Sequence, residues 1–246
     1  MSLAGYKADW PAPATVRTWQ TTRSGGVSGG SWQSLNLGAH VGDRPEAVAR
    51  NRQLLAQELR LPTGPRWLDQ VHGTRILHPD RGETGSADGA VTMTPGVVLA
   101  ILTADCLPVM LATRDGRRIG VAHAGWRGLA AGVLAAAVAA FECPPSSLLA
   151  WLGPAIGQSA FEVGPEVRAA FMARDEAAAE CFSPNPRGRW QADLGGLARR
   201  QLQRSGVAAI HGRPQCTFSD PARYFSHRRE APCGRMATLI WMEPWG

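Results

Sequence analysis

Short runs of apolar or alternating apolar and polar residues recur along the chain, and they predict β-strands. The predicted strands cover residues 15–22, 67–78 with a turn at His72-Gly73, 97–113, 119–124, 148–152, 208–211 and 236–242. The run 97–113 is the longest, and the chain returns from it through Asp115-Gly116, a dipeptide typical of a two-residue hairpin loop. That loop places His123 opposite Pro108 and Cys106 opposite Gly125, so the Cys106 and His123 side chains share one face. Because proline cannot donate to the ladder, this end of the hairpin is expected to be an edge or a bulge.

Apolar residues at helical spacing predict four helices between these strands. The first begins near Asp43 and Glu46 and ends at Leu61-Pro62. The others cover 126–141, which is rich in alanine, then 165–180 and 193–205, the last capped by Asp193 and stopped by Gly206. Strands and helices interleave without a repeat or a long linker. The sequence therefore predicts one domain over residues 1–246, an α/β (α+β) layered sandwich with mixed β-sheets covered by helices.

The composition is ordinary for a soluble globular protein with one sizeable core: 246 residues, 44% hydrophobic and 19% charged. Five cysteines, an odd number without a CxxC pair, favour reduced thiols and a cytoplasmic location. No targeting segment is predicted in the first residues, and the low-charge run 128–141 is too short to cross a membrane. We expect no membrane partner, and a monomer or a weak homo-oligomer.

The net charge of +6 comes almost entirely from arginine, because Lys7 is the only lysine. The arginines are scattered, without a basic stripe or a reader motif, so we do not expect nucleic acid as a partner. Arginine's planar fork also suits phosphate or carboxylate on a small substrate.

Three scarce side chains suggest a metal site. Cys106 and His123 can face one ligand across the hairpin, and His72 lies at an exposed turn. Two imidazoles and a thiolate with an open fourth position form a catalytic zinc pattern. The alternative for each histidine is an ordinary hydrogen-bonded role. Gly125, where a strand turns into a helix, either leaves backbone N–H groups free for an anion or only makes room for the Trp126 ring.

Seven motifs, in order along nearly the whole chain, carry a family resemblance. They are TTRSGGVS (21–28), SLNLG (34–38), DQVHG (69–73), TADCLPV (103–109), AHAGWRG (122–128), LGPAIG (152–157) and FSHRR (225–229). Together they resemble the laccase-domain family, also called the multicopper polyphenol oxidoreductase or purine nucleoside phosphorylase family. One departure is His227, which stands where the family usually has an aromatic residue, commonly tyrosine.

The resemblance implies a metal, usually zinc, held by His72, Cys106 and His123. It also implies phosphorolysis of adenosine, inosine, guanosine or methylthioadenosine with inorganic phosphate, and hydrolytic deamination of adenosine. Some bacterial relatives are instead described as peptidoglycan editing factors. A four-copper laccase is not expected, because a multicopper oxidase needs about four coppers and a large imidazole set, whereas this chain has six histidines and no His-x-His. Copper could still bind the zinc site in vitro.

Further residues are expected to complete the chemistry. Zinc would lower the pKa of a bound water toward about 7, and Asp105 is the candidate proton carrier beside Cys106 and His123. The alternative for Asp105 is a turn-capping or supporting carboxylate. Arg127 and Arg228, with Arg52 and Arg23 as weaker candidates, are expected to bind phosphate. Asn36 is expected to contact a ribose hydroxyl or the base, unless it only holds a turn.

Two other classes of function stay open. In the first, Cys106 is the nucleophile and His123 its base in a cysteine or zinc amidohydrolase that edits a peptidoglycan precursor. In the second, the protein binds a ligand without turnover. Metal removal and thiol alkylation separate the first from the zinc enzyme, and undetectable turnover with retained ligand binding would favour the second.

Overall fold

The protein is described here by a computed structural model covering residues 4–243. Its α-helices are α1 (Pro45–Glu58), α2 (Trp126–Ala131), α3 (Val133–Ala140), α4 (Pro165–Met172) and α5 (Leu194–Arg204). Its first seven strands are β1 (Gly5–Tyr6), β2 (Val16–Thr21), β3 (Arg66–Trp67), β4 (Ile76–Leu77), β5 (Gly89–Thr92), β6 (Leu99–Thr103) and β7 (Leu107–Thr113). The remaining strands are β8 (Ile119–Ala124), β9 (Leu148–Leu152), β10 (Glu162–Val163), β11 (Phe182–Pro184), β12 (Trp190–Ala192), β13 (Ala209–His211) and β14 (Met236–Met242).

Two larger sheets pack face to face and form the middle of a layered sandwich. Their strand orders are β1-β2-β14-β6-β3 and β13-β9-β7-β8-β5-β4, and β10-β12-β11 form a small third sheet. Ile101 of β6 and Ile240 of β14 share one buried cluster with Met110 of β7. On the outer side of the first sheet, Leu55 of α1 packs in a cluster with Leu239. Because α2 to α5 cover the outer side of the second sheet, the predicted layered α/β sandwich with mixed sheets is confirmed.

The hairpin of β7 and β8 has the predicted register, with Pro108 opposite His123 and Leu107 opposite Ala124. The expectation of an edge or a bulge at Pro108 is wrong, because β7 also pairs along its other side with β9. Pro108 stands next to the start of β7, and its carbonyl oxygen accepts the Gly153 N–H just past the end of β9. At such a position the missing proline N–H leaves the rest of the ladder intact.

Several predicted elements are interrupted. Residues 97–113 form two strands in different sheets, and the crossover at 104–106 includes Asp105 with φ of 86°. Residues 126–141 form two helices, because Gly132 has φ of 104°, a left-handed conformation that glycine adopts readily. The predicted helix 165–180 ends at Met172, and Glu176–Cys181 is a 3₁₀ helix. Of the predicted strand 67–78, only the short strands β3 and β4 form at its two ends.

Other predictions hold in detail. Asp193 caps α5, and its carboxylate accepts the Gly196 N–H at 2.9 Å. All five cysteines are free thiols. Among the helices of residues 4–243, none has both the length and the apolar character needed to span a membrane.

Candidate metal centre and its cavity

The fold brings His72, Cys106 and His123 together from three separate segments. Their ligand atoms all lie within 4.8 Å of one another, and no second group of three such residues occurs within residues 4–243. Cys106 Sγ lies 3.7 Å from His72 Nε2. A tetrahedral ion with Zn–S and Zn–N bonds of about 2.3 and 2.1 Å holds a sulfur and a nitrogen ligand about 3.6 Å apart, and the 3.7 Å between Cys106 Sγ and His72 Nε2 matches this separation. The donor set and this spacing therefore fit a zinc-type ion.

Each ligand owes its position to a different local structure. His123 lies on β8 in the middle of the second sheet, where it is buried. Cys106 lies in the crossover between the two sheets, directly before β7. His72 lies in the loop between β3 and β4 and has φ of 60°, an uncommon conformation for a residue with a side chain. The three ligands therefore meet where both sheets and this loop converge.

A fully buried aspartate that the sequence analysis did not identify supports the centre. Asp88 precedes β5, and its Oδ1 lies 2.8 Å from His123 Nδ1. The same carboxylate accepts the backbone N–H groups of Val71, His72 and Gly73 at 3.2, 2.9 and 2.6 Å. The only sequence signal for this role was an acidic residue among the small apolar residues of Ala87–Ala90.

Two glycines of the AHAGWRG motif allow the segments to approach. A Cβ on Gly125 would lie 2.6 Å from His72 Cδ2 and 3.0 Å from Cys106 Sγ. A Cβ on Gly128 would lie 2.8 Å from the Gly73 carbonyl oxygen. Gly125 thus makes room for two of the three ligands, and Gly128 for the loop that carries His72.

Charge couples the thiol and the buried imidazole. Burial raises the pKa of Cys106, but His123 and His72 outweigh it, so the pKa falls to about 6. Burial lowers the pKa of His123, but the Cys106 thiolate and the Asp88 carboxylate outweigh it and raise the pKa to about 9. The metal-free pair is therefore a thiolate beside an imidazolium at neutral pH. A cation that replaces the imidazolium proton would be favoured by the same negative groups.

The three ligands open onto a cavity of about 350 Å³. Its other polar and aromatic lining residues include His40, Gln70, Trp126, Arg127, Phe161, His227, Arg228 and Arg235. The Arg127 guanidinium lies 4.5 Å from the centre of the Trp126 ring. Arg228 donates to the Glu162 carbonyl oxygen at 2.9 Å. A cavity with several arginines and aromatic walls suits a ligand that combines negative charge with a flat ring.

Asp105 lies at this cavity, but both of its carboxylate oxygens accept hydrogen bonds. Oδ1 accepts from the Thr217 hydroxyl at 2.6 Å, and Oδ2 accepts from the Arg228 backbone N–H at 2.7 Å. A carboxylate has about four acceptor sites, so these two bonds leave room for a proton, but they fix the carboxylate between Thr217 and Arg228. The contacts favour the alternative, in which Asp105 holds the loop of Arg228 next to Cys106.

Two predicted substrate-binding residues, Asn36 and Arg52, do not line the cavity. The fully buried Asn36 accepts the N–H groups of Gly38 and Arg235, each at 2.9 Å. Arg52 donates twice to the Leu37 carbonyl oxygen and lies over the Trp67 ring. Both side chains are used in holding neighbouring loops, so their predicted contact with substrate is not supported.

The weaker candidate Arg23 is likewise away from the cavity and donates to the Gln33 and Pro221 carbonyl oxygens. His227 does line the cavity, as do His40, Gln70, Phe161 and Arg235, which the sequence analysis did not select. Of these four, only Gln70 lies in one of the seven motifs, DQVHG (69–73), and the other three carry no local pattern that would have identified them. They come from segments far apart in the chain.

Comparisons with known proteins agree along nearly the whole chain. Residues 17–243 match the family described as multi-copper polyphenol oxidoreductase laccase. A purine nucleoside phosphorylase of Pseudomonas aeruginosa is 53% identical over 237 residues, which cover 96% of this chain and 97% of that protein. The purine nucleoside phosphorylase YfiH of Escherichia coli is 48% identical over 235 residues, covering 95% and 96%. The crystal structure of a Neisseria meningitidis protein superposes with a TM-score of 0.94 at 48% identity, covering 98% and 99% of the two chains.

Proposed function

The chain belongs to the multi-copper polyphenol oxidoreductase laccase family, and we propose that it is a zinc-dependent purine nucleoside phosphorylase that also deaminates adenosine. Its substrates are adenosine, inosine, guanosine and methylthioadenosine, with inorganic phosphate as the second reactant. The observation that carries the proposal is the cluster of His72, Cys106 and His123 at an arginine-lined cavity. The names of two relatives that match almost end to end support the reaction class. We expect the enzyme to act in the cytoplasm as a monomer or weak homo-oligomer.

His72, Cys106 and His123 would hold the zinc ion. When bound, zinc supplies a Lewis acid and lowers the pKa of coordinated water. The chain's own contribution is to fix the ligands: the Asp88 carboxylate accepts a hydrogen bond from His123 Nδ1–H, which leaves Nε2 as the ligand atom. The open side of the cluster faces the cavity, where the nucleoside is bound.

Phosphorolysis needs cationic groups for phosphate, and the cavity supplies them. Arg127 and Arg228 are the proposed phosphate-binding residues, because both line the cavity close to the ligands. The rings of Trp126 and Phe161 provide flat apolar walls for the purine. The Arg127 guanidinium already lies against Trp126, so phosphate and base would meet in one compartment.

The proposal is tested by incubating metal-analysed protein with adenosine, with and without phosphate, and separating adenine from inosine. Adenine formed only with phosphate indicates phosphorolysis, and inosine formed without phosphate indicates deamination. Alanine at His72, Cys106 or His123 should abolish both products. His78→Ala is the matched control, because His78 lies outside the cavity and should leave both activities intact. Survival of either product in a ligand variant would contradict a shared site.

A metal-free cysteine hydrolase that edits a peptidoglycan precursor is the second candidate. It is favoured by the lowered pKa of Cys106, about 6, and by the 3.7 Å between Cys106 Sγ and His72 Nε2. The two candidates respond differently to treatment. Chelation should abolish the zinc enzyme, whereas a cysteine hydrolase would survive chelation and lose activity when Cys106 is alkylated.

A further inference from the structure

A single buried carboxylate contacts two of the three segments that build the metal centre. Asp88 is fully buried and does not line the cavity. We infer that Asp88 is a positioning residue that holds His72 and His123 at the spacing a metal ion requires. This inference rests on the proposed metal site, and it goes beyond it by assigning the group that sets metal affinity.

The first contact fixes the imidazole of His123. Asp88 Oδ1 lies 2.8 Å from His123 Nδ1, and the Asp88 carbonyl oxygen accepts the His123 backbone N–H at 2.6 Å. An ionised carboxylate only accepts hydrogen bonds, so Nδ1 carries the proton and Nε2 is left as the ligand atom. Side chain and backbone of His123 are therefore both held by the same residue.

The second contact fixes the loop of His72. Three successive N–H groups, those of Val71, His72 and Gly73, point at the Asp88 carboxylate. Successive N–H groups with one residue in the left-handed region form an anion-binding concavity, and His72 has φ of 60°. The carboxylate stabilises this uncommon conformation, and the conformation presents the His72 ring to Cys106.

Backbone bonds strengthen the attachment of the loop. The Ala87 N–H donates to the Asp69 carbonyl oxygen at 2.9 Å, and the Asp88 N–H donates to the Arg75 carbonyl oxygen at 3.0 Å. The loop that carries His72 is thus fastened at both ends and at its centre. Of these contacts, only those at the centre come from the Asp88 carboxylate, which also bonds to His123.

No arginine or lysine within residues 4–243 forms an ion pair with Asp88; its ion pair is with His123. A buried carboxylate needs hydrogen-bond donors, because a buried polar group without a partner costs free energy. An amide at this position has one acceptor oxygen, and its NH₂ group would face N–H donors. Replacement of Asp88 by asparagine should therefore release the loop, the ring or both.

The test is zinc affinity of the full chain, measured by competition with a chromophoric chelator for wild type, Asp88→Asn and Asp69→Asn. Asp69 is the matched control: it is an exposed acid of the same loop, and its side chain contacts Ser86 rather than a ligand. We expect Asp88→Asn to weaken zinc binding about 10- to 100-fold, as supporting residues of metal sites do. Asp69→Asn should remain within about twofold of wild type.

Two further measurements separate positioning from a general loss of structure. With saturating zinc, the KM for nucleoside should stay within about twofold in Asp88→Asn, because Asp88 is outside the cavity. The visible spectrum of cobalt(II)-loaded Asp88→Asn should differ from that of cobalt(II)-loaded wild type, because this spectrum reports the geometry of the ligands. Should Asp88→Asn fail to fold, Asp88→Glu keeps the charge but displaces the carboxylate, and it should also bind zinc at least about tenfold more weakly.

Zinc affinity of Asp88→Asn or Asp88→Glu within twofold of wild type would overturn the inference, as would an equal loss in Asp69→Asn. A wild-type protein that binds no zinc would remove both this inference and the zinc enzyme. If the wild-type protein binds zinc but forms no purine product, and Asp88→Asn binds zinc more weakly, the inference stands and the proposed reaction falls.

Discussion

Gly125→Ala should damage the metal centre without damaging the fold. Gly125 has φ of −64° and ψ of 154°, a conformation open to any residue, so alanine introduces no backbone strain. Its Cβ, however, would lie 2.6 Å from His72 Cδ2 and 3.0 Å from Cys106 Sγ. Carbon atoms in contact are normally about 3.5–4.0 Å apart, so the His72 ring must move by about 1 Å.

Such overpacking typically costs about 1–3 kcal/mol. In the metal-free protein His72 can relax toward solvent, because it is exposed. Bound metal holds the His72 ring in place, so the overpacking energy destabilises the metal-bound protein more than the metal-free protein. At 1.4 kcal/mol for each factor of ten, zinc should bind about 5- to 150-fold more weakly.

The assay is a chelator competition titration beside thermal unfolding of the metal-free protein. Gly64→Ala is the control, because a Cβ on Gly64 meets nothing within 4 Å. We expect Gly125→Ala to lose zinc affinity and keep its metal-free Tm within a few degrees. If Gly125→Ala binds zinc as tightly as wild type, or if only its Tm falls, the steric reasoning is refuted.

Three other perturbations test separate parts of the structure. Because the pKa of Cys106 is about 6 and that of His123 about 9, the metal-free pair keeps one proton between these pH values. Zinc binding should release that proton, so zinc affinity should rise about tenfold per pH unit between about pH 6 and pH 9. Titration calorimetry in buffers of different ionisation enthalpy measures both the proton release and the affinity. Arg127→Gln should raise the KM for phosphate about tenfold or more and change the KM for nucleoside less, as initial rates would show. Asp193→Ala removes the N-cap of α5 and should lower the free energy of unfolding by about 1 kcal/mol in urea, with zinc affinity unchanged.

The sequence predicted local pairing well and distant pairing poorly. The predicted register of β7 with β8 is correct, with Ala112 opposite Ile119, although the loop is longer than the two residues predicted. The Thr113 N–H donates to the Arg118 carbonyl oxygen, so residues 114–117 form the loop, centred on the predicted Asp115-Gly116. The edge expected at Pro108 failed because β9, which lies well beyond the hairpin in sequence, pairs on the other side of β7. Similarly, Gly132 divides a run of apolar residues whose hydrophobicity alone indicated one continuous helix.

The site shows the same division. The ligand residues could be selected because histidine and cysteine are scarce and their chemistry is specific. Asp88 could not, because its importance comes from contacts with residues 15 to 35 positions away. Asn36 and Arg52 were selected by residue type, yet their polar atoms bind nearby backbone instead. Side-chain chemistry identifies what can bind a metal, while packing decides which polar groups remain available to a substrate.

The family description names several coppers, and the donor set of this chain argues for one metal ion. All six histidines lie within the described residues, where His72, Cys106 and His123 form one group of three ligands. A relay of about four coppers needs further imidazole clusters. Copper(II) binds such donors more tightly than zinc, so an oxidase signal after copper loading would report the same single site. After reconstitution with excess copper and gel filtration, elemental analysis should therefore find one tightly held copper ion per chain. Alanine at His72, Cys106 or His123 should remove that ion. A copper content near four ions per chain would contradict this assignment.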